Sequence, residues 1–431
     1  MEKIENIINI LKTKLQDKDN KDLAKNTLSL TILNAVNFVL PLFTIPLLLN
    51  NLGATNYGIV NIYISLYAIF QKVVNYGFEY IGTRDISIAI NKNDRNKIFS
   101  IVLLCKLINA IIVIILSLFY FCLTGTSNIA IAVIISIELI GTALNMNWLF
   151  QGLKQMKVIT IITSITKFIY SVLIIVLIKK ADDVLIYAAL YSFISIGIGL
   201  TGLILSIGKK YNFYCTRFSF QNLIGAYVEG WHMFFASLCS GLSTNLCTVI
   251  LGKLKGEETV AYFSAGFKIV QAISLVFSAI TQALYPFSCI KFKGSFTEGK
   301  SYVFRFMKPV LCVIGISCLF MMVTSKLIFQ FIYDPIYWKY YPIAIIGSIW
   351  LFFSFLNNFL GIQILVASNR SSIYRYLFTI ATIITIISYY IFIPFIGPYG
   401  SISALLLGEI ILSIILYSRI SKIKEIGTVV M

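Results

Sequence analysis

The sequence predicts an all-α membrane protein with twelve transmembrane helices in two pseudo-symmetric six-helix lobes around a central cavity. Three observations carry that prediction. Of 431 residues, 58% are hydrophobic and only 12% charged, whereas a soluble chain carries about 25% charge. Apolar stretches of roughly 20 residues, long enough for a helix to cross about 30 Å of hydrocarbon, recur from residue 27 to residue 419. The second half of the chain also echoes the first.

The expected spans are 27–50, 57–80, 98–122, 128–151, 158–178 and 184–207 in the first half, and 223–252, 259–290, 301–325, 342–366, 374–395 and 399–419 in the second. Each is apolar all round, and only a helix satisfies such a backbone within one segment; the alternating pattern of a membrane barrel is not present. Ahead of them, residues 1–26 read as an amphipathic tail, with Ile4, Ile7, Ile8, Leu11 and Leu15 at helical spacing on the membrane surface. That tail has no uninterrupted apolar core or small-residue cleavage site, so it does not read as a signal peptide. The basic stretch 208–222 links the two lobes, 27–207 and 223–419, and residues 420–431 form a second tail. Eight cysteines lie mostly inside spans without metal-ligand spacing, and there is one histidine, so neither a cofactor nor a metal is expected.

The net charge of +17 raises the question of nucleic acid, which the distribution of charge answers. With the N-terminus placed in the cytoplasm, 23 Lys and Arg fall on the inner side and six on the outer. The positive-inside rule therefore puts both termini in the cytoplasm, and the basic excess reflects topology and attraction to anionic lipid. All outer connections are short, which argues against an enzyme that must hold an acceptor and a catalytic acid outside the membrane.

The echo between halves is clearest where LLLNNLGATNYGIVNIYISLYAIF aligns with VILGKLKGEETVAYFSAGFKIVQAI, at an offset of 202 to 203 residues. Such repeats are the trace of a two-lobed transporter with its site between them. Five stretches then occur in order: SLTILNAVNFVLPLFTIPLLLNNLGATNYG, NYGFEYIGTRDISIA, NWLFQGLKQMKVITI, ALYPF and NNFLGIQILVASNR. On these the chain resembles the bacterial polysaccharide flippases of the Wzx or O-antigen type, in the superfamily that also holds multidrug exporters and lipid II flippases. The resemblance implies movement of an undecaprenyl-diphosphate-linked oligosaccharide from the cytoplasmic to the outer leaflet by alternating access, coupled to a proton or sodium ion. It also implies the bacterial cytoplasmic membrane as location, with membrane lipid, a glycan polymerase and a chain-length regulator as partners.

A diphosphate leaving water needs cations around it, and charges inside spans cost at least about 2.5–3.5 kcal/mol each on insertion scales. Lys72 and Lys268 come first: they lie 15 and 8 residues from the outer ends of equivalent helices. That difference of two turns keeps the helix face. Lys106 and Lys167 either line the cavity or pair with Glu138, and Arg305 and Lys308 lie towards the inner headgroups. Candidate carriers of a coupling ion are Glu229 with His232, at i and i+3, together with Glu138 and Glu409; Glu229 and His232 equally read as a helix-end pair. Glu79, Arg84 and Asp85 read either as a latch at the cytoplasmic mouth or as an interfacial turn. Pro41 and Pro46 are expected to kink span 1, and Pro286 to bend span 8, where related flippases are thought to admit the lipid tail. Two rivals stand beside this reading: a drug or cation exporter of the same superfamily, which calls for acids in the cavity, and a membrane glycan polymerase, which calls for a long outer loop.

Overall fold

The computed structural model describes residues 18–125 and 128–423, with side chains from residue 40 onward apart from a few positions. The amphipathic tail expected over residues 4–15 and the end of the C-terminal tail lie outside the described residues, as do the side chains of Pro41, His232 and Pro286. Helix α1 runs Lys18–Asn75, α2 Phe78–Ile88 and α3 Lys92–Thr124. Three short helices, α4 Ile129–Ser136, α5 Glu138–Leu144 and α6 Asn147–Gly152, occupy the fourth expected span. They are followed by α7 Met156–Leu177 and α8 Val184–Ile207. The second lobe holds α9 Phe220–Lys255, α10 Glu257–Gly294, α11 Phe296–Ile332, the single turn α12 Pro335–Trp338, α13 Pro342–Asn357, α14 Ser371–Ile396 and α15 Pro398–Lys422. A π-helical stretch, Asn358–Val366, extends α13. No strand occurs among the described residues.

Eleven segments of the described chain are helical, long and apolar enough to cross a membrane, one fewer than the twelve spans expected. The difference lies in the first two, which join in one long helix broken at a single residue, Gly53, with φ 77° and ψ 163°. The expected kink at Pro46 is not where the helix breaks: the backbone stays helical through it, since proline's fixed φ is itself helical. The first turn of the second lobe repeats the device. Gly256, 203 positions after Gly53, has φ 85° and ψ 167° and separates α9 from α10. Both glycines occupy a region closed to residues with a Cβ, so the internal repeat seen in sequence is a repeat of backbone geometry.

The two hairpins pack against each other. At the glycine end Gly58 lies so close to the Glu257 carbonyl that any Cβ there would collide with it. Nearby, Tyr333 donates from its hydroxyl to Ala265 O at 3.0 Å, and Tyr262 stacks on Tyr340 with centroids 4.2 Å apart. At the opposite end the chain breaks again at Tyr76 and Gly77, both with positive φ. There the Tyr76 ring stacks on Phe234 of α9, centroids 4.4 Å apart, and Tyr227 donates to Asn109 Oδ1 at 2.7 Å. Large apolar side chains such as Phe119, Leu123, Phe331 and Phe395 stay more than 60% exposed, the outward face of a protein solvated by lipid.

The glycine turns give a test of the repeat. Gly53→Ala and Gly256→Ala should each destabilise the protein by about 1–3 kcal/mol. Gly225→Ala should be neutral or mildly stabilising, since Gly225 has no neighbour within 4 Å of a Cβ and no positive φ. Thermal unfolding of the purified variants in detergent would separate the two outcomes.

Candidate functional site

A cavity of about 420 Å³ lies between the lobes. Thr44 reaches it from α1, Lys167, Tyr170 and Ser171 from α7, Tyr187 and Tyr191 from α8, and Lys268 and Gln271 from α10. Lys268 crosses from the second lobe to the first. Its ammonium donates to the Tyr57 hydroxyl at 2.9 Å and to Asn61 Oδ1 at 3.1 Å, and stands 5.3 Å from the centroid of the Tyr57 ring. Asn61 is held in turn by its Nδ2 donating to Tyr57 O at 2.8 Å, and the Tyr57 ring stacks on Tyr187 at 6.1 Å. Every one of these partners is neutral. They orient the cation through hydrogen bonds and the ring face without cancelling its charge, and Lys167 brings a second amine to the same wall.

The other expected cations sit elsewhere. Lys72 lies with its stem across Gly241 of α9, and among the described residues no ion pair or hydrogen bond holds its ammonium. It therefore does not share the Lys268 cavity as a second rung: Lys268 meets the facing helix α1, whereas Lys72 meets α9. Lys106 corrects a second expectation. It is fully buried and pairs with Glu79 at 3.5 Å, while its ammonium donates to Asn145 O at 3.3 Å, so its carboxylate comes from α2 and not from Glu138. Arg305 and Lys308 are exposed on α11 and line none of the cavities described here.

Glu138 is 3% exposed and begins α5. One carboxylate oxygen accepts from Gln71 and from Ser195 at 3.3 Å; the other is buried, and the carboxylate also meets the Tyr191 phenol of the cavity wall. Glu409 belongs to a separate cavity of about 250 Å³ inside the second lobe, lined also by Ser240, Ser243, Asn357, Asn358 and Thr382. Asn357 donates to both the Glu409 carboxylate, at 2.5 Å, and its backbone carbonyl, at 2.8 Å. Glu229 is half-exposed and takes its hydrogen bond from Arg84, with Nη2 to Oε1 at 2.5 Å. Arg84 is held on its other side by Asp85 at 2.7 Å. Because Arg84 stands on α2 and Glu229 on α9, this triad ties one lobe to the other, beside the Tyr76–Phe234 stack. Sequence spacing pointed to Glu229 as a partner of His232; it did not show that the arginine of the neighbouring lobe reaches it.

Sequence reading missed Tyr57, Asn61, Gln71 and Gln271. A signal for two of them was available: Tyr57 and Asn61 lie four residues apart, on one helix face, opposite the lysine-bearing span of the repeat. Chemically, the arrangement provides amines flanked by phenols, hydroxyls and amides. It suits an anion attached to a polar, hydroxyl-rich body.

Two helical lobes around a cavity that bears amines, phenols and hydroxyls, inside an apolar exterior, define a multi-pass membrane transporter. The chain belongs to the polysaccharide biosynthesis protein family, whose profile matches residues 23–289. It is 30% identical over 265 residues to a protein of Shigella dysenteriae provisionally named O-antigen transporter, covering 61% of this chain and 66%, just under two thirds, of that protein. A protein of Escherichia coli K12 with the same provisional name is 24% identical over 350 residues, covering 80% of this chain and 84% of its own. Among solved structures, the lipid II flippase MurJ in an inward closed conformation superposes with a TM-score of 0.73 at 16% identity, covering 91% of this chain and 87% of MurJ. An inward-facing multidrug resistance MATE family transporter superposes with 0.69 at 14% identity, covering 89% and 95%. At these identities the superpositions establish the fold.

The Arg84 triad is exposed, so it contributes less than about 1 kcal/mol to stability. Arg84→Ala should leave thermal unfolding nearly unchanged, yet raise the alkylation rate of a cysteine placed at Tyr76 in the same contact. An unaltered alkylation rate would show that the triad does not hold the lobes together.

Proposed function

We propose that the protein is a flippase that moves an undecaprenyl-diphosphate-linked oligosaccharide repeat unit from the cytoplasmic to the outer leaflet. On this reading the two lobes alternate access to the cavity, and an ion gradient drives the cycle. One observation carries the proposal: the Lys268 ammonium projects between the lobes, held by neutral Tyr57 and Asn61, with Lys167 on the same wall. A diphosphate entering there replaces lost hydration with charge-assisted hydrogen bonds, and the phenols and amides suit sugar hydroxyls and ring faces. The family, and relatives named for O-antigen transport, point to the same cargo.

The cavity volume of about 420 Å³ lies in the range of a single small-ligand site, roughly 300–1,000 Å³. That holds a headgroup, so passage of an oligosaccharide requires the lobes to part. The Arg84–Glu229–Asp85 triad is the latch that opens on the cytoplasmic side, since the basic connections assign that end to the cytoplasm. The protein would sit in the bacterial cytoplasmic membrane with both termini inside, handing glycan to a polymerase and a chain-length regulator. An exporter of cationic drugs calls for acids at the cavity wall, where this wall presents amines. A glycan polymerase calls for an outer loop that this chain lacks between its spans.

Lys268→Ala and Lys167→Ala should each reduce transfer of lipid-linked glycan by purified protein in vesicles by about tenfold, equivalent to about 1.4 kcal/mol, with Lys268→Arg milder. Unimpaired transfer by the double alanine variant would remove the cationic reading.

Coupling falls on the two sequestered carboxyls, Glu138 and Glu409, in preference to Glu229, which is engaged in the latch. Carboxyls inside the membrane are the usual members of proton relays in pumps and transporters, and Glu138 borders the interlobe cavity through Tyr191 of its wall. Glu138→Gln should make transfer insensitive to an imposed pH gradient; retained sensitivity would place coupling elsewhere.

A further inference from the structure

A third cavity, of about 390 Å³, opens at the tip of the first lobe, away from the interlobe site. Its walls come from the start of α3 (Lys92, Arg95 and Asn96), from Leu153, and from the interlobe linker (Lys210, Tyr211 and Phe213). We propose that this cavity binds the phosphate of an anionic phospholipid of the inner leaflet. The proposal rests on the topology assigned above and not on the identity of the cargo.

Three features point to a phosphate ester. Lys92 and Lys210 form no ion pair among the described residues, and Lys210 lies over the Tyr211 ring at 5.3 Å. Arg95 is anchored by Nε donating to Ala89 O at 2.9 Å, which fixes the guanidinium while its Nη groups find no partner among the described residues. Asn96 is fully buried and lines the cavity, yet neither its Nδ2 nor its Oδ1 has a hydrogen-bond partner. The Tyr211 hydroxyl, on the opposite wall, is orphaned in the same way. Two orphaned polar groups in one place are uncommon in a folded protein and call for a ligand or ordered water. The site also stands near the N-terminal end of a 33-residue helix, the positive end of its dipole. The acid of its first turn, Asp94, is exposed and does not line the cavity.

The occupant is a lipid because of where the cavity opens. Ile90, on its rim, is 91% exposed, and the site lies at the helix ends, where headgroups meet basic residues. The walls are set in place before a ligand arrives: Phe213 packs on Phe99 at 5.5 Å, Tyr211 on Phe150 at 5.3 Å, and Thr216 N donates to Ser100 Oγ at 2.8 Å. Since Lys210 and Tyr211 belong to the segment that links the lobes, a bound headgroup would strengthen the packing that already holds that link on the first lobe. Lipid composition would then tune the rocking of the lobes.

Native mass spectrometry of the full-length protein, titrated with phosphatidylglycerol or with phosphatidylcholine, tests this. Wild type should retain one phosphatidylglycerol at least about fivefold more than phosphatidylcholine. Lys92→Gln with Lys210→Gln, both surface changes, should abolish the preference, as should Asn96→Leu. Lys291→Gln, at a distant basic position, should not. Equal retention by wild type and the cavity variants would overturn the proposal. So would displacement by inorganic phosphate at millimolar concentration, which marks a soluble ligand, or preferential retention of undecaprenyl diphosphate, which marks a loading site for cargo. None of these measurements reads transport, so the outcome stands apart from that of the flippase assignment.

Discussion

An ammonium group set between two helical lobes without a carboxylate beside it is the constraint on which the rest of the molecule depends. Placing a cation at membrane depth is costly unless polar groups surround it, and here a phenol, an amide and a ring face do so. Because those groups belong to the opposite lobe, solvation of Lys268 is also a bond between the lobes. The same contact therefore holds the halves in register while its neutral partners leave the positive charge uncancelled. Lys106 shows the contrasting solution: with Glu79 at 3.5 Å its charge is answered inside one lobe.

The two acids follow the same division. Glu138 is enclosed, and Glu409 is bound to Asn357 next to the π-helical stretch that extends α13. Local π geometry is frequent at functional sites, and here it carries Asn358, whose Oδ1 lacks a partner, to the wall of the cavity that holds Glu409. Glu138 thus borders the space between the lobes through Tyr191, whereas Glu409 faces a cavity inside the second lobe.

Much of this was legible in the sequence because membrane helices announce themselves by length and composition. The spans expected over 184–207 and 342–366 coincide with α8 and with α13 plus its π extension. The offset between halves anticipated the match of Gly53 to Gly256. What could not be read was pairing between helices distant in sequence. Whether Lys106 meets Glu79 or Glu138, and whether Glu229 meets Arg84, depends on how helices far apart in sequence rotate against one another. Helical periodicity gives a face but not the neighbour that face meets, and so Lys72 lies across Gly241 instead of sharing a cavity with Lys268.

The one-residue turns have a mechanical consequence. A connection whose sole irregular residue is Gly53, with helix on both sides, leaves only one residue's dihedrals in which the arms can turn, and the same holds at Gly256. Each hairpin is a stiff lever with its vertex at one membrane face. Any tilting of one half against the other is absorbed at the far ends, where Tyr76 and Gly77 interrupt the first lever and where the linker, held on the first lobe as far as Thr216, passes to α9. Compliance is thereby concentrated at the basic face of the molecule, leaving the glycine vertices as fixed fulcra.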